Sequence, residues 1–508
     1  MTGGQSETTN DRSTRTRAAG RAIRSAMRTR LGIDLRALAA FRIALGAIVL
    51  ADLLFIRLPG LRTFYTDQGT LPRDVLAQSF PTFETLSVHA LSGSLWVQTL
   101  LIAVAAIAAG CLLVGYRTRL ATGVSAVLLA SLFARNPYVL NGGDTIMLSV
   151  LALGLFLPLG ARWSLDAHRC GGRQTECRTD RVCTVATAVI LVHFVGIYAV
   201  NGVLKFRSDS WMTGTAVQRI FHLEQYVVLV GPFLTEFSAL LTAANLAWVA
   251  LLTVSPLLIL ATGRLRLALA GAFICAQLGL GVTMRLGAFP FVMVAILLLY
   301  LPPEVWDRLE DALETYVPAR YRALESIPMI ERPTSSARIP APIRRAGRIA
   351  VAVALICGLV AVLSWQAVAL GFLETPEPAS AALEDDIEGA SWAFFAPNPP
   401  EGYWWYAWEA DLESGETVGT LTDESGAIDR PPDAADRYPS VLWKRYGSEL
   451  RYAPASQYEP LAAYYCEQVT MNADSTPEMV TVFKLEQPVD ADGPTGGLEV
   501  DDRLEYVC

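Results

Sequence analysis

The sequence has few charged residues and almost no lysine. Only 18% of its 508 residues are charged and 52% are hydrophobic, whereas about a quarter of the residues in a soluble protein are charged. Of the 41 basic residues only three are lysines: Lys205, Lys444 and Lys484. This composition argues against a wholly soluble enzyme, a disordered chain and a collagen-like chain.

The motifs of several common enzyme classes are also missing. The chain has no Gly-x-Gly-x-x-Gly dinucleotide loop, Walker A loop, His-Glu-x-x-His zinc helix or Gly-x-Ser-x-Gly elbow. Cys170, Cys177 and Cys183 follow His168, but their spacing matches no standard zinc pattern, so we predict no metal site. Nothing predicts nucleic-acid binding, because the arginine clusters lie where membrane topology requires them.

Long apolar runs are what the sequence has instead. A helix that crosses a bilayer needs about 20 apolar residues. Nine runs approach this length: Leu38–Ile56, Leu95–Gly115, Leu120–Ala134, Ile146–Gly160, Thr184–Val203, Ser238–Ala261, Leu267–Met284, Ala288–Leu301 and Ile349–Phe372. The sequence therefore predicts an all-α polytopic membrane bundle of about nine transmembrane helices, over residues 31–373.

The arginines predict the orientation of this bundle. Seven of them lie in the tail at residues 1–30, which is rich in Ser, Thr and Gly and is predicted to be disordered. Every second loop after that is basic, and basic loops stay in the cytoplasm. We therefore predict a multi-pass protein of the cell membrane with a cytoplasmic N-terminus and its C-terminal domain outside.

Residues 374–508 differ sharply from the rest of the chain. They have no apolar span and a net charge of −21, against +13 for residues 1–373. A solvated acidic surface or a basic partner would account for this charge. Cys466 and Cys508 are their only cysteines and form a candidate disulfide. Strands are predicted at Trp404–Asp411, Thr417–Leu421 and Met479–Leu485, and helices at Tyr438–Tyr452 and Glu459–Thr470, which fits a small extracytoplasmic α+β or β-sandwich domain.

Lys205 is the only lysine in the membrane half, at the predicted outer end of the fifth run. Arginine stays protonated near neutral pH, whereas a lysine removed from water can lose its proton, so Lys205 is a candidate general base. Tyr198 and Asn201 precede it on the same helical face. The alternative is a lysine that snorkels to the headgroup boundary.

Asn141-Gly142-Gly143-Asp144 is a polar segment just before the fourth run. It could bring a carboxylate to the membrane edge near Lys205, or it could be an ordinary turn with a helix N-cap. Within the first run, Arg42 and Asp52 need partners, because an unpaired charge there costs about 3 kcal/mol. We predict that they form structural intramembrane pairs.

The order of the motifs resembles the HTTM family, whose membrane domain is shared with vitamin K-dependent γ-glutamyl carboxylase. The resemblance covers about residues 34–305, and a C-terminal segment, Trp392–Pro399, is similar to one that often follows this domain. The motifs are Phe41-Arg42 with Asp52, Tyr65–Gly69, Asn141–Asp144, Trp163–Asp166, Gly202–Lys205 with Trp211 and Gly214, and Gly287–Phe289 through Pro302–Glu304.

The resemblance implies an enzyme that oxidises a reduced quinone, vitamin K or menaquinol, with O₂. The strong base formed would abstract a glutamyl γ-proton, and CO₂ would trap the carbanion. Lys205 matches the lysine that deprotonates the hydroquinone. Catalytic candidates are Lys205, Asn141 and Asp144, and cofactor-binding candidates are Tyr198, Asn201, Trp211, His222 and Gln277.

The chain departs from the animal carboxylase, which has Asn-Asn-His where this sequence has Asn141-Gly142-Gly143, and Gln277 occupies a position where relatives often have histidine. The expected partners are membrane lipid, quinone and a secreted Glu-containing peptide or protein. The alternative function is a non-enzymatic membrane scaffold or immunity-type protein that binds a partner through its acidic outer domain.

Overall fold

The structure, a computed structural model, describes residues 20–22, 24–169, 180–316, 340–374, 393–422, 438–451, 453, 457–472 and 475–508. Most of the predicted tail lies outside these residues, as do Cys170, Cys177 and Trp392. At the end of this tail, residues 24–31 form a helix, α1. Alanine, methionine, leucine and arginine in this stretch favour a helix.

Helices make up the membrane domain, and a two-stranded ladder of β1 (Ile33–Asp34) and β2 (Arg181–Val182) lies beside them. The helices are α2 (Leu35–Ala51, continued by a π-helix at Asp52–Arg57), α3 (Leu61–Tyr65), α4 (Arg73–Ser79), α5 (Pro81–Leu86), α6 (Leu95–Val114), α7 (Thr118–Arg135), α8 (Gly142–Gly154), α9 (Leu165–Arg169), α10 (Val185–Phe206), α11 (Asp209–Thr213), α12 (Ala216–Phe221), α13 (Gly231–Leu234), α14 (Ser238–Thr253), α15 (Leu257–Leu260), α16 (Gly263–Thr283), α17 (Phe289–Leu297), α18 (Pro303–Tyr316) and α19 (Ala341–Ala369). Short 3₁₀ turns lie at Val88–Leu91, Pro137–Val139 and Leu298–Tyr300.

Each predicted apolar run is helical over most of its length, but a count of about nine transmembrane helices is not confirmed. Within the described residues, five helices are long and apolar enough to cross a membrane: α2 with its π-helix, α6, α10, α16 and α19. The count rises to six if Phe289–Tyr300 and Pro303–Ala312, bent by 101°, are one span. The other runs fall short for local reasons. Helix α8 has only 13 residues, about 20 Å, and α14 ends before Pro256, which has no backbone N–H to continue a helix.

Helix α2 lies at the centre of the bundle and packs against α6 and α17. Gly46 makes the close approach to α6 possible, because a Cβ there would lie 2.6 Å from the backbone nitrogen of Leu113. Small residues allow helices in membranes to pack closely in this way. The side chains of Phe41, Leu45 and Val49 on α2 are fully buried.

The C-terminal domain, which we call the outer domain after its predicted location, is an α+β unit, one of the two folds predicted for it. Its antiparallel sheet has the order β4–β3–β5–β6, and β7 also pairs with β5. The strands are β3 (Gly402–Leu412), β4 (Thr417–Gly419), β5 (Pro477–Asp490), β6 (Gly493–Pro494) and β7 (Glu499–Val507), and the helices are α20 (Val441–Leu450) and α21 (Glu459–Asn472). Helix α21 packs on β5 and β7, and a disulfide joins its Cys466 to Cys508. The long strands and both helices lie where the sequence predicted them, whereas β7 was not predicted.

The outer domain packs directly on the membrane domain. The ring of Trp443 on α20 lies 5.0 Å from the ring of Phe64 on α3, and Tyr446 lies 5.9 Å from it. Tyr446 also donates to the carbonyl oxygen of Thr70 at 3.3 Å. Helix α20 therefore covers the end of the bundle at which α10 ends.

Candidate functional site

Lys205 lies in the last turn of α10, and only 1% of it is exposed. Its Nζ donates to the carbonyl oxygen of Phe394 at 2.6 Å and lies 4.3 Å from the centre of the Trp211 ring. The indole Nε1 of Trp211 in turn donates to the carbonyl oxygen of Phe395 at 2.8 Å. The amine is therefore buried between an aromatic face and a main-chain carbonyl, and it does not extend into solvent as a snorkelling lysine would.

Asn201 lies one helical turn before Lys205 and binds the same segment of chain. Its Oδ1 accepts from the backbone N–H of Phe394 at 3.2 Å, and its Nδ2 donates to the carbonyl oxygen of Ile197. Two residues of one helix face thus bind both polar backbone groups of Phe394. Further along, Asn398 accepts from the hydroxyl of Ser208 at 2.7 Å. Residues 393–398, which we call the covering segment, close this end of α10.

Aromatic rings surround the covering segment. The ring of Phe394 stacks on that of Phe289 at 4.9 Å, and the ring of Phe395 meets that of Tyr226 edge-on at 4.9 Å. Phe395 has a φ of +50°, which is unusual for a residue with a side chain. The sequence analysis noted this segment only as a family resemblance. Its role at Lys205 depends on a contact between residues 189 positions apart.

Asn141 and Asp144 form the N-cap of α8. The Oδ1 of Asn141 accepts from the backbone N–H groups of Gly143 and Asp144, and the Oδ2 of Asp144 accepts from the N–H of Asn141 at 3.0 Å. This is a reciprocal capping box. The other oxygen of Asp144 pairs with Arg57 at 2.5 Å. The helix-cap alternative therefore describes the local geometry, and both carboxylate oxygens already have partners.

Phe289 connects the Asn141–Asp144 turn with the Lys205 region. A Cβ at Gly143 would lie 2.8 Å from the Cα of Phe289, and the ring of Phe289 stacks on Phe394. The predicted catalytic residues thus lie in one neighbourhood, joined by packing. No hydrogen bond or ion pair joins Lys205 directly to Asn141 or Asp144, all three of which the structure describes.

Arg57, which the sequence analysis did not identify, is the partner of Asp52. Its Nε lies 3.1 Å from Asp52, and its Nη1 donates to the hydroxyl of Tyr65 at 2.9 Å. In an α-helix, positions i and i+5 point about 140° apart, and the wider π-helix at Asp52–Arg57 brings the two side chains together. Arg42 instead donates to the carbonyl oxygen of Trp163 at 2.5 Å. Arg42 and Asp52 are therefore bound separately.

Tyr198 and Gln277 lie deeper along α10 and α16. Gln277 is fully buried, and its Nε2 donates to the hydroxyl of Tyr198 at 3.3 Å. Its Oε1 has no hydrogen-bond partner among the described residues. Tyr198 precedes Lys205 by seven residues, which places it about 10 Å further along the helix. An amide oxygen without a donor suits a ligand hydroxyl at this depth.

His222 lies at the junction of the two domains. It ends α12, and its ring lies 3.7 Å from the position that a Cβ on Gly493 would take. Burial lowers the pKa of His222, and Asp492 opposes this shift. The neighbouring Arg219 pairs with Asp490 at 2.9 Å. His222 therefore contacts the outer domain at the β5–β6 turn.

Lys444 on α20 is a second buried lysine, to which the sequence analysis assigned no role. Its Nζ donates to the carbonyl oxygen of Arg285 at 3.3 Å and lies 4.4 Å from the centre of the Tyr226 ring. Arg445 donates to the carbonyl oxygen of Leu140. Burial, together with the nearby Arg445 and Arg285, lowers the pKa of Lys444 to about 7. The rarity of lysine was the one sequence signal that could have found it.

Raising the pH from about 7 to 9 is expected to stabilise the folded chain through Lys444. In the unfolded chain its pKa returns to about 10.4. Between these two pKa values the unfolded state binds more protons, so the free energy of unfolding rises with pH, by at most about 1.4 kcal/mol per unit. Thermal unfolding of Lys444→Met should lack this rise, and a Lys484→Met control should keep it. An equal pH dependence in wild type and Lys444→Met would contradict the prediction.

A comparison with models of known protein families identifies the family of this chain. The model of the HTTM domain matches residues 32–306, which is more than half of the chain. The chain belongs to the HTTM family. Membership implies homology to γ-glutamyl carboxylase and, with the apolar helices, a membrane protein. The HTTM domain includes Lys205, Asn141 and Asp144, whereas Phe394 and Lys444 lie beyond it. Comparisons with curated proteins and with solved structures found no match.

Proposed function

We propose that this HTTM protein is a carboxylase-like membrane enzyme that acts on a reduced quinone, with Lys205 as the general base. One observation carries the proposal: the only lysine of the membrane domain is buried against an aromatic ring at the position where the resemblance puts a proton-abstracting lysine. A general base contributes about 10²–10⁴-fold to a rate. The proposed orientation has the N-terminus in the cytoplasm and the outer domain outside.

The chemical character of the residues around Lys205 suits a quinol. Trp211, Phe289 and Phe394 offer aromatic faces, and the amine could accept the proton of a hydroxyl group that replaces the Phe394 carbonyl. Oxidation of the bound quinol by O₂ would supply the strong base for abstracting a glutamyl γ-proton, and CO₂ would add to the resulting carbanion. The role of the protein residues is to orient the ring, accept the first proton and exclude water.

A cleft beside the covering segment gives a route for an acceptor peptide. It has a volume of about 580 Å³ and lies between the two domains. Its lining includes Tyr226 of the membrane domain, Asn398 of the covering segment, Arg445 of α20 and Arg451, which directly follows α20. Because Tyr226 also contacts Phe395, the cleft leads to the covering segment. A secreted Glu-containing peptide or protein is the proposed substrate.

The test uses the full chain, supplied with menaquinol, O₂, labelled CO₂ and a Glu-containing peptide. Quinone epoxide is expected from wild type, and Lys205→Ala is expected to reduce its formation at least about 100-fold. Lys205→Arg should be equally inactive, because arginine keeps its proton. Lys484→Ala on β5 is the matched control and should keep full activity. Equal background from wild type and Lys205→Ala would rule the proposal out.

The net charge of −21 over residues 374–508 favours a second candidate, a membrane scaffold that binds a basic partner through its outer domain. The two candidates predict opposite phenotypes. If truncation at about residue 374 abolishes the cellular phenotype while Lys205→Ala retains it, the scaffold function is supported. Loss of the phenotype in Lys205→Ala supports the enzyme.

A further inference from the structure

A second cavity, of about 980 Å³, lies at the end of α10 far from Lys205. It is lined by residues immediately before α2 and α10, including Asp34, Arg181 and Cys183. Since α10 has 22 residues, about 33 Å of helix separates this cavity from Lys205. The volume falls within the range of about 300–1,000 Å³ that is usual for ligand sites.

Arginines from two elements converge on this cavity. Arg21, Arg24 and Arg28 line it together from the N-terminal segment, where spacings of three and four residues put side chains on one helical face. Arg181 on β2 faces them. Its Nη2 donates to the carbonyl oxygens of Thr29, at 3.2 Å, and Gly32, at 2.9 Å, which fastens the end of α1. The buried Nε of Arg181 has no hydrogen-bond partner among the described residues.

The carboxylates that line the cavity already have partners. Arg36 pairs with Asp34 at 3.0 Å and with Asp307 at 2.7 Å. Asp180 pairs at 2.9 Å with Arg162, which lies outside the cavity lining. In the part of the chain that the structure describes, no carboxylate pairs with Arg21, Arg24, Arg28 or Arg181. Among the described residues, four guanidinium groups of the cavity therefore have no carboxylate in ion-pair contact, although Asp34, Asp180 and Asp307 also line it.

Membrane topology alone does not account for this arrangement. Basic residues are expected on cytoplasmic loops, and Arg119 and Arg264 are of that kind. Arg21, Arg24 and Arg28 are exposed as they are, but these three line the cavity and Arg119 and Arg264 do not. Keeping a loop in the cytoplasm requires only that the loop be basic. It does not require its arginines to line the same cavity. Guanidinium groups that converge in this way match the oxygens of a phosphate, which they bind in pairs.

We propose that this cavity binds a phosphate group, that of an anionic membrane lipid. The position of the site indicates the lipid source, because two helices that are long and apolar enough to cross a membrane begin beside it, at Leu35 and Val185, where headgroups lie. Basic pockets between membrane helices bind such headgroups. The acyl chains would extend along the spans, and Arg24, Arg28 and Arg181 would hold the phosphate.

The test compares the full chain in phosphatidylcholine vesicles with and without phosphatidylglycerol, by thermal unfolding and by native mass spectrometry of retained lipid. Phosphatidylglycerol should raise the melting temperature of wild type. Arg24→Gln with Arg28→Gln should weaken its binding about fivefold for each arginine removed, and the control Arg119→Gln with Arg264→Gln should bind as wild type.

Inorganic phosphate added to phosphatidylcholine vesicles is the second arm. If it reproduces the whole rise in melting temperature, the phosphate site stands and its source is the free anion. The proposal fails if neither ligand stabilises wild type. It also fails if both double variants respond to phosphatidylglycerol to the same extent, because a diffuse surface charge would then explain the binding.

Discussion

Arg57→Met is expected to lower the free energy of unfolding by about 3–5 kcal/mol, because it leaves buried carboxylates without their counter-charge. Arg57 is 1% exposed, Asp52 2% and Asp144 fully buried. One guanidinium bridges both carboxylates and the hydroxyl of Tyr65, and so ties α2 to the start of α8. The measurement is unfolding of the purified chain in detergent micelles titrated with a denaturing detergent.

Two further variants separate charge from packing. Arg62→Met is the surface control, since the Arg62 side chain is 49% exposed and its nearest carboxylate, Glu467, lies 3.9 Å away. It should change stability by less than about 1 kcal/mol. Adding Asp52→Asn and Asp144→Asn to Arg57→Met removes the stranded charges and should recover part of the loss. An Arg57→Met chain that unfolds with the wild-type midpoint would refute the expectation.

Gly143→Ala is expected to destabilise the chain by about 1–3 kcal/mol through overpacking. A Cβ at this position would lie 2.8 Å from both the Cα and the Cβ of Phe289, and 2.8 Å from the Oδ1 of Asn141. The backbone at Phe289 and the Asn141 side chain that caps α8 must therefore both move to make room for the methyl group. Because Phe289 stacks on Phe394, the shift should reach the covering segment and Lys205.

Gly142→Ala is the matched control, one residue away in the same helix turn. A Cβ at Gly142 meets nothing within 4 Å, so alanine should be neutral or stabilise α8 by up to about 1 kcal/mol. Thermal unfolding of the two variants side by side checks the pair. Equal melting temperatures of the two variants would contradict the prediction, because Phe289 would then move aside at little cost in free energy.

The same contact bears on the family resemblance. The resemblance implies that Asn141-Gly142-Gly143 stands where the animal carboxylase has Asn-Asn-His, which puts the histidine at Gly143. Phe289 leaves no room for any side chain at that position. Gly143→His should therefore destabilise the chain more than Gly143→Ala does, and it should not restore an imidazole to the site.

Local patterns predicted much of this molecule. A helix or strand depends mainly on neighbouring residues. Hydropathy and turn residues were therefore enough to predict a helix at each apolar run, and the two helices and long strands of the outer domain. The number of membrane spans was not predictable in the same way. It depends on breaks such as that before Pro256 and on the 101° bend near Leu301, which a count of apolar residues does not register.

The candidate site was predicted in its residues but not in its partners. The shortage of lysine pointed to Lys205, and helical spacing put Asn201 beside it. Arg57 as the partner of Asp52 was missed, because pairing across five residues requires a π-helix. Lys444 was set aside because nothing in its local sequence shows that α20 packs against Arg285 and Tyr226.

The sequence alone established a basic, arginine-rich membrane half, an acidic outer domain and one unusual lysine, because composition and hydropathy are properties of the chain itself. The tertiary structure decided what faces that lysine. Lys205 donates to the carbonyl oxygen of Phe394, a residue far away in the chain, and the Phe394 ring stacks on Phe289 of the membrane domain. Only the packing of the outer domain on the bundle brings these segments together. Burial of Lys205 is therefore a property of both domains.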